Sequence, residues 1–173
     1  MMMNRAKFLQ NGNCGYILKP KFMMEADTKY NLGVPVEAPR KITHLTLKLI
    51  SGSHLPISQD VDAAQIFVSI RCLGHPEDDD QVWSSSSGTR TGLFIKWSEE
   101  SVFNISYPEL AFIEFAVKTR DTLGAEVVHG VYMISVPLIR KGFRTISLEN
   151  KEGRKLSPSS LLVHCKIETQ DMK

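Results

Sequence analysis

Residues 108–121 read Pro-Glu-Leu-Ala-Phe-Ile-Glu-Phe-Ala-Val-Lys-Thr-Arg-Asp, and the side chains alternate along the run. Ala111, Ile113, Phe115 and Val117 share one face, with Phe112, Glu114, Ala116 and Lys118 on the other. A period of two predicts a strand half buried in a sheet. Pro108 suits the strand entrance, where a missing backbone N–H costs least. The apolar phase ends at Thr119, Arg120 and Asp121, so a core strand delivers a polar loop to one end of the domain.

The same alternation recurs on both sides of this run. Leu45, Leu47 and Leu49 alternate with Thr46 and Lys48 before Ser51-Gly52, which is expected to break the strand. Ile66, Val68, Ile70 and Cys72 form a second face, closed by Gly74, Pro76 and the acidic run Glu77, Asp78, Asp79, Asp80. The polar, serine-rich stretch from Gln81 to Thr91 reads as one weak strand. Phe103 and Ile105, then Val131 to Val136, then Phe143, Ile146 and Leu148, and finally Leu161, Val163, Cys165 and Ile167 mark the others. Eight short strands with turn signals between them and no long helix predict an all-β, antiparallel sandwich. Trp97, Phe103, Phe115 and Tyr132 are expected in its core. Upstream, residues 4–10 read as the last turns of a helix stopped by Asn11-Gly12, with no matching start signal. The chain is therefore expected to begin inside an element. Phe22 to Arg40, with Asn31, Gly33, Pro35 and Pro39, reads as an extended connector.

With 173 residues, 42% of them hydrophobic, the chain supports one ordinary core. A net charge of +2 argues against nucleic acid, which requires a clustered basic face. Cys14, Cys72 and Cys165 are few, odd in number and set among apolar residues, and are expected as reduced core thiols of a cytosolic protein. No apolar run reaches the ~20 residues of a membrane span, and residues 1–10 lack the apolar region of a signal peptide. A soluble intracellular chain is expected. No phosphate-binding glycine loop, serine elbow or HExxH motif is present. His44, His54, His75, His129 and His164 lack metal-ligand spacing and are expected on the surface or in strands. Four consecutive carboxylates cannot converge on one ion, so the run 77–80 reads as a solvated turn. Ser84 to Ser87 reads as a polar edge.

Asn11-Gly12-Asn13-Cys14-Gly15-Tyr16-Ile17-Leu18-Lys19-Pro20 resembles the sequence that ends the catalytic barrel of the eukaryotic phosphoinositide-specific phospholipases C. Residues 47–56 (Leu-Lys-Leu-Ile-Ser-Gly-Ser-His-Leu-Pro), 107–111 (Tyr-Pro-Glu-Leu-Ala) and 140–144 (Arg-Lys-Gly-Phe-Arg) resemble the same family. The resemblance implies the end of a TIM-like barrel at 1–21, a linker at 22–40 and an eight-stranded, C2-type β-sandwich at 41–170. It also implies a parent that hydrolyses phosphatidylinositol 4,5-bisphosphate to diacylglycerol and inositol trisphosphate. The family's catalytic histidines and the carboxylates that hold its catalytic calcium lie earlier in the barrel, on residues absent here, so no catalytic role falls on this chain. Implied partners are the missing barrel and an anionic or phosphoinositide membrane surface, with cytoplasmic localisation and peripheral membrane association. An inactive relative that serves as a lipid- or protein-binding module is the alternative.

In C2 domains that bind calcium, three loops at one end supply aspartates, because the ion takes six to eight oxygen ligands. Here the family's Asp-Pro falls near Ala63-Ala64, leaving Asp60 and Asp62. The second loop, Gly92 to Trp97, keeps a tryptophan and lacks the Asn-Pro. The third offers Asp121, with Glu126 beside the place of a later aspartate. Asp60, Asp62, Asp121 and Glu126 are thus a degenerate metal set, and calcium belongs to the parent enzyme with weak binding or none expected here. Arg90, Lys96, Lys118 and Arg120 are the candidate lipid contacts. At about 1 kcal/mol each near an anionic surface, four give about 4 kcal/mol, a dissociation constant of about a millimolar. Such a patch assists docking without anchoring. Leu93, Phe94 and Leu123 are candidates for interfacial insertion or for the core.

Overall fold

The computed structural model describes residues 2–17, 19–24, 41–58, 61–62, 65–79 and 81–171. Beyond Met24 the expected connector lies outside the described residues, as does Asp60. Among the described residues nine strands follow one another: β1 (Lys41–Ser53), β2 (Ile66–Leu73), β3 (Val82–Ser84), β4 (Thr89–Thr91), β5 (Phe94–Ile105), β6 (Phe112–Arg120), β7 (Glu126–Ser135), β8 (Gly142–Glu149) and β9 (Lys155–Asp171). Every pairing is antiparallel, in the order β3-β2-β6-β7-β8-β9-β1-β5-β4. Strands β7 and β8 meet at a single pair, Val131 with Glu149. The curled sheet folds there into two facing layers.

The alternation explains how those layers close. Leu45, Leu47 and Leu49 of β1 and Val163 and Cys165 of β9 meet Val68 and Ile70 of β2 and Ile113, Phe115 and Val117 of β6 in one core cluster. Trp97 and Phe103 are buried in the same cluster, and Tyr132 packs against it half-buried. The other face of β6 is covered as well. There Phe112 joins Met133 and Ala6 of the helix α1 (Met2–Gln10) in a second, smaller cluster.

Several local expectations change on contact with the structure. Ser51-Gly52 does not end β1. The register against both neighbours shifts between Leu49 and Ser51, which is a β-bulge. The bulge lets Gly52 face inward, where an added Cβ would lie 3.1 Å from the Trp97 ring. The single weak strand at 81–91 is two strands on opposite layers, since β3 pairs with β2 and β4 with β5, which raises the strand count from eight to nine. Pro108 sits in a turn, with Leu110 N–H donating to the Tyr107 carbonyl at 2.9 Å, and β6 begins at Phe112.

The amino-terminal segment ends its helix as expected, with Gly12 (φ 60°) and Asn13 (φ 65°) both left-handed. A remnant of a barrel is not shown, because the described residues before β1 hold only this helix and a short 3-10 turn at Lys21–Met23. Helix α1 lies on the sandwich through an Arg5–Glu149 ion pair of 2.7 Å, a hydrogen bond from Arg5 to the Gly153 carbonyl, and one from Ser135 Oγ to Gln10 Oε1 of 3.1 Å. Cys72 and Cys165 are buried free thiols, whereas Cys14 is exposed, because residues 13–17 run along the surface. Burial, then the carboxylates of Asp78 and Asp79, push the Cys72 thiol up to about 12.

The acidic run is also not a solvated turn throughout. Asp78 is fully buried, and its carboxylate accepts from the backbone N–H groups of Ser106 and Tyr107, both at 2.7 Å. His75 is buried beside it, its ring 4.0 Å from that of Tyr107. The turn after β2 therefore braces the connection between β5 and β6, at the end of the sandwich opposite the candidate loops.

Candidate functional site

Three connections gather at the other end: residues 54–65 between β1 and β2, the Gly92-Leu93 turn between β4 and β5, and residues 121–125 between β6 and β7. Phe94 to Trp97, expected as loop, belong to β5, so the second connection is a tight turn. Hydrogen bonds tie these pieces together. His54 N–H donates to the Leu93 carbonyl at 3.0 Å, and Arg90 Nη2 donates to the Val61 carbonyl at 3.1 Å. On the third connection, Asp121 Oδ1 accepts from the N–H groups of Leu123 and Ala125 at 2.9 and 2.8 Å. That closes a five-residue loop whose tip is Leu123, 93% exposed.

Beneath the tip, Glu126 reaches across the hairpin to two bases. Its carboxylate lies 2.6 Å from Arg120 Nη2 and 3.1 Å from Lys118 Nζ. The hydrogen bonds from Arg120 and then Lys118 hold its carboxyl below the usual range. Arg120 also stacks over the Phe67 ring at 4.8 Å, a cation–π contact that fixes the guanidinium on the outer wall. His129 is the extra residue where the β6–β7 register shifts, and its Nε2 is 2.8 Å from Thr119 Oγ1. Partial burial lowers its pKa, against an opposing contact with the Pro56 backbone.

The described residues of the set expected to hold a metal do not converge. Asp121 is engaged by its own loop, Glu126 by two cations, and Asp62 lies on the first connection. Among the described residues no group of three or more His, Cys, Asp or Glu side chains is placed to hold an ion. Calcium needs six to eight oxygens, and the described carboxylates do not fit it.

Of the four basic residues, Lys118 and Arg120 share one carboxylate. Arg90 is held by a carbonyl, which leaves its charge in place. Lys96 is exposed on β5. With Asp62 and Asp121 at the same end, the described residues of the loop end keep an excess of about one positive charge, far less than four free cations would give. Leu93, Phe94 and Leu123 are exposed rather than core, and Val127 joins them. Phe94 is held edge-on to the His54 ring at 6.3 Å between centroids. Val127 gave no signal in the sequence, because only the β6–β7 register shows that its side chain stays outside the sandwich.

Residues 43–156 match the C2 domain family. The chain belongs to that family. This C2 domain and its flanks are 35% identical over 165 residues to the 1-phosphatidylinositol 4,5-bisphosphate phosphodiesterase zeta-1 of Rattus norvegicus, covering 95% of this chain and 25% of the relative. To the delta-4 phosphodiesterase of Xenopus laevis the identity is 31% over 172 residues, covering 96% and 22%. The chain thus spans about a quarter of the length of these relatives and is homologous to their C-terminal region. Among solved structures it is similar to PLC21 of L. pealei, with a TM-score of 0.77 and 23% identity over 99% of this chain and 22% of that one. A C2 domain of plant Extended Synaptotagmin 1 gives a TM-score of 0.59 at 18% identity, over 79% of this chain and 99% of that one. The last two likenesses show the fold alone.

Proposed function

We propose that this chain is the C-terminal part of a phosphoinositide phospholipase C, in which residues 1–21 complete the catalytic barrel, 22–40 link it, and 41–170 form a C2 domain that seats the barrel on the cytoplasmic membrane surface. The parent's hydrolysis of phosphatidylinositol 4,5-bisphosphate belongs to this reading, with its chemistry outside this chain. Exposed Phe8, Leu9, Tyr16 and Ile17 on the amino-terminal segment support the barrel contact, since a segment shaped to be covered leaves apolar surface when alone.

The observation that carries the membrane half is Leu123, projected from a loop braced by Asp121 at the same end as Leu93 and Phe94. A rigid apolar tip beside basic residues suits an interface where hydrocarbon lies beneath anionic headgroups. Arg90, Lys96, Lys118 and Arg120, set against Glu126, Asp62 and Asp121 at the same end, leave a net charge of about +1 among the described residues, about 1 kcal/mol of attraction, far weaker than a millimolar affinity. Each apolar side chain fully inserted adds about 1.5–3 kcal/mol. Docking by this route is reversible and independent of calcium.

Co-sedimentation with neutral and anionic liposomes, in calcium or chelator and at two salt concentrations, tests it. The expected result is binding that needs anionic lipid, fades with salt, persists in chelator and is lost in Leu123→Asp. Binding that requires calcium would overturn it and assign Asp60, Asp62, Asp121 and Glu126 to the ion.

A further inference from the structure

A second feature lies away from the loop end, between the two layers. Strands β7 and β8 pair only at Val131–Glu149. Beyond that pair they part, β7 running to Ser135 and β8 returning from Gly142, before residues 136–141 rejoin them. The gap is a cavity of about 400 Å³ that reaches the core, with Leu47, Phe115, Ile146 and Val163 in its wall and Leu9 of α1 at its side. Interiors normally hold few voids larger than a water, and an apolar cavity is a poor home for water. A volume at the small end of the ~300–1,000 Å³ of ligand pockets admits one alkyl chain and excludes a two-chain lipid.

The rim has a different character. Arg5, Arg140, Arg144 and Lys155 line it against one carboxylate, Glu149. Arg5 engages Glu149, and the Arg144 guanidinium donates to the carbonyls of Arg140, Phe143 and Lys141, which fixes a positive charge at the opening. Arg140 and Lys155 are exposed and have no ion-pair partner among the described residues. An apolar slot with an uncompensated cationic rim is complementary to a molecule with one hydrocarbon tail and one anionic head.

We propose that this inter-layer cavity binds a single-chain anionic amphiphile, its tail between the layers and its carboxylate or phosphate at Arg140 and Lys155. Fatty acids and lysophospholipids share that chemistry. The site is separate from the loop end and stands whether or not the domain docks on membranes.

Calorimetric titration of the 173-residue chain with dodecanoate, dodecyl phosphate and dodecyltrimethylammonium, each below its micelle concentration, tests it. Expected are one-to-one binding of at least one anion and binding of the cation weaker by roughly tenfold or more. The double variant Arg140→Glu/Lys155→Glu, on exposed side chains, weakens anion binding by a similar factor with an unchanged circular dichroism spectrum. Ile134→Trp, which fills the slot, abolishes binding of every tail. Preference between the two anions tells a carboxylate from a phosphate source. Absence of binding by both anions, equal binding of the cation, or anion affinity indifferent to the double variant would each overturn the proposal.

Discussion

Glu126 sets how much positive charge the loop end offers. It is the acceptor for both Lys118 and Arg120, and their hydrogen bonds keep it ionised through the neutral range. Glu126→Gln removes one negative charge among three groups, which at about 1 kcal/mol per charge near an anionic surface strengthens partition onto anionic vesicles roughly fivefold. Binding to neutral vesicles is expected to stay the same and the salt dependence to steepen. Unchanged partition onto anionic vesicles would show that this wall of the domain does not face the membrane. Lys118, Arg120, Asp121 and Glu126 were legible as neighbours in the sequence. That the acid closes over the bases was not, because it depends on the bulge at His129, which moves Lys118 opposite Val128 and Arg120 opposite Glu126. The self-capping of Asp121 follows from a short Asp-Thr-Leu-Gly turn in which an aspartate binds amides two and four residues on.

At the scale of elements, the strands that bury one face were readable and the pieces at the edges were not. Strands β1, β2, β6 and β9 alternate because one side of each meets the core. The crossing from β3 to β4 makes two three-residue strands with no apolar face to alternate, so composition alone reads it as one polar stretch. Its backbone still pairs, since Ser85 and Gly88 N–H groups donate to Val68 and Ile66 carbonyls. The turn at 74–79 misled in the opposite sense. Its charge suggests solvent, yet Asp78 is drawn inside by two amides nearly thirty residues away. Asp78→Ala leaves both N–H groups without that acceptor and is expected to destabilise the domain by about 2–4 kcal/mol, seen as a lower urea midpoint. Asp78→Asn, which keeps one acceptor oxygen, recovers part of the loss. A midpoint unmoved by Asp78→Ala would mean that the connection between β5 and β6 holds without this brace.

For the whole molecule the open matter is where the independent unit begins, and α1 decides it. Nine residues are too few for a helix to persist alone in water, so α1 depends on its seat. That seat is small: Ala6, 1% exposed, rests with Phe112 and Met133, while Arg5 and Gln10 bind the rim. The main core, by contrast, draws on both layers and, among the described residues, includes none before Leu45. If the sandwich is the unit and α1 a docked part of something larger, a charge at the seat should release the helix and leave the sandwich folded. Ala6→Glu supplies that charge, since a buried carboxylate without a partner costs more than undocking a short helix. The expected outcome is loss of the helical dichroism signal, new protease cleavage before residue 24 and continued resistance of 41–171. A melting point lower by several degrees follows from the loss of about 1–2 kcal/mol of contact, with vesicle binding unchanged because the loops lie elsewhere. Complete unfolding of Ala6→Glu would show instead that α1 is an integral layer of the fold. Phe112 and Met133 would then belong to the core, and the proposed boundary at residue 41 would fail.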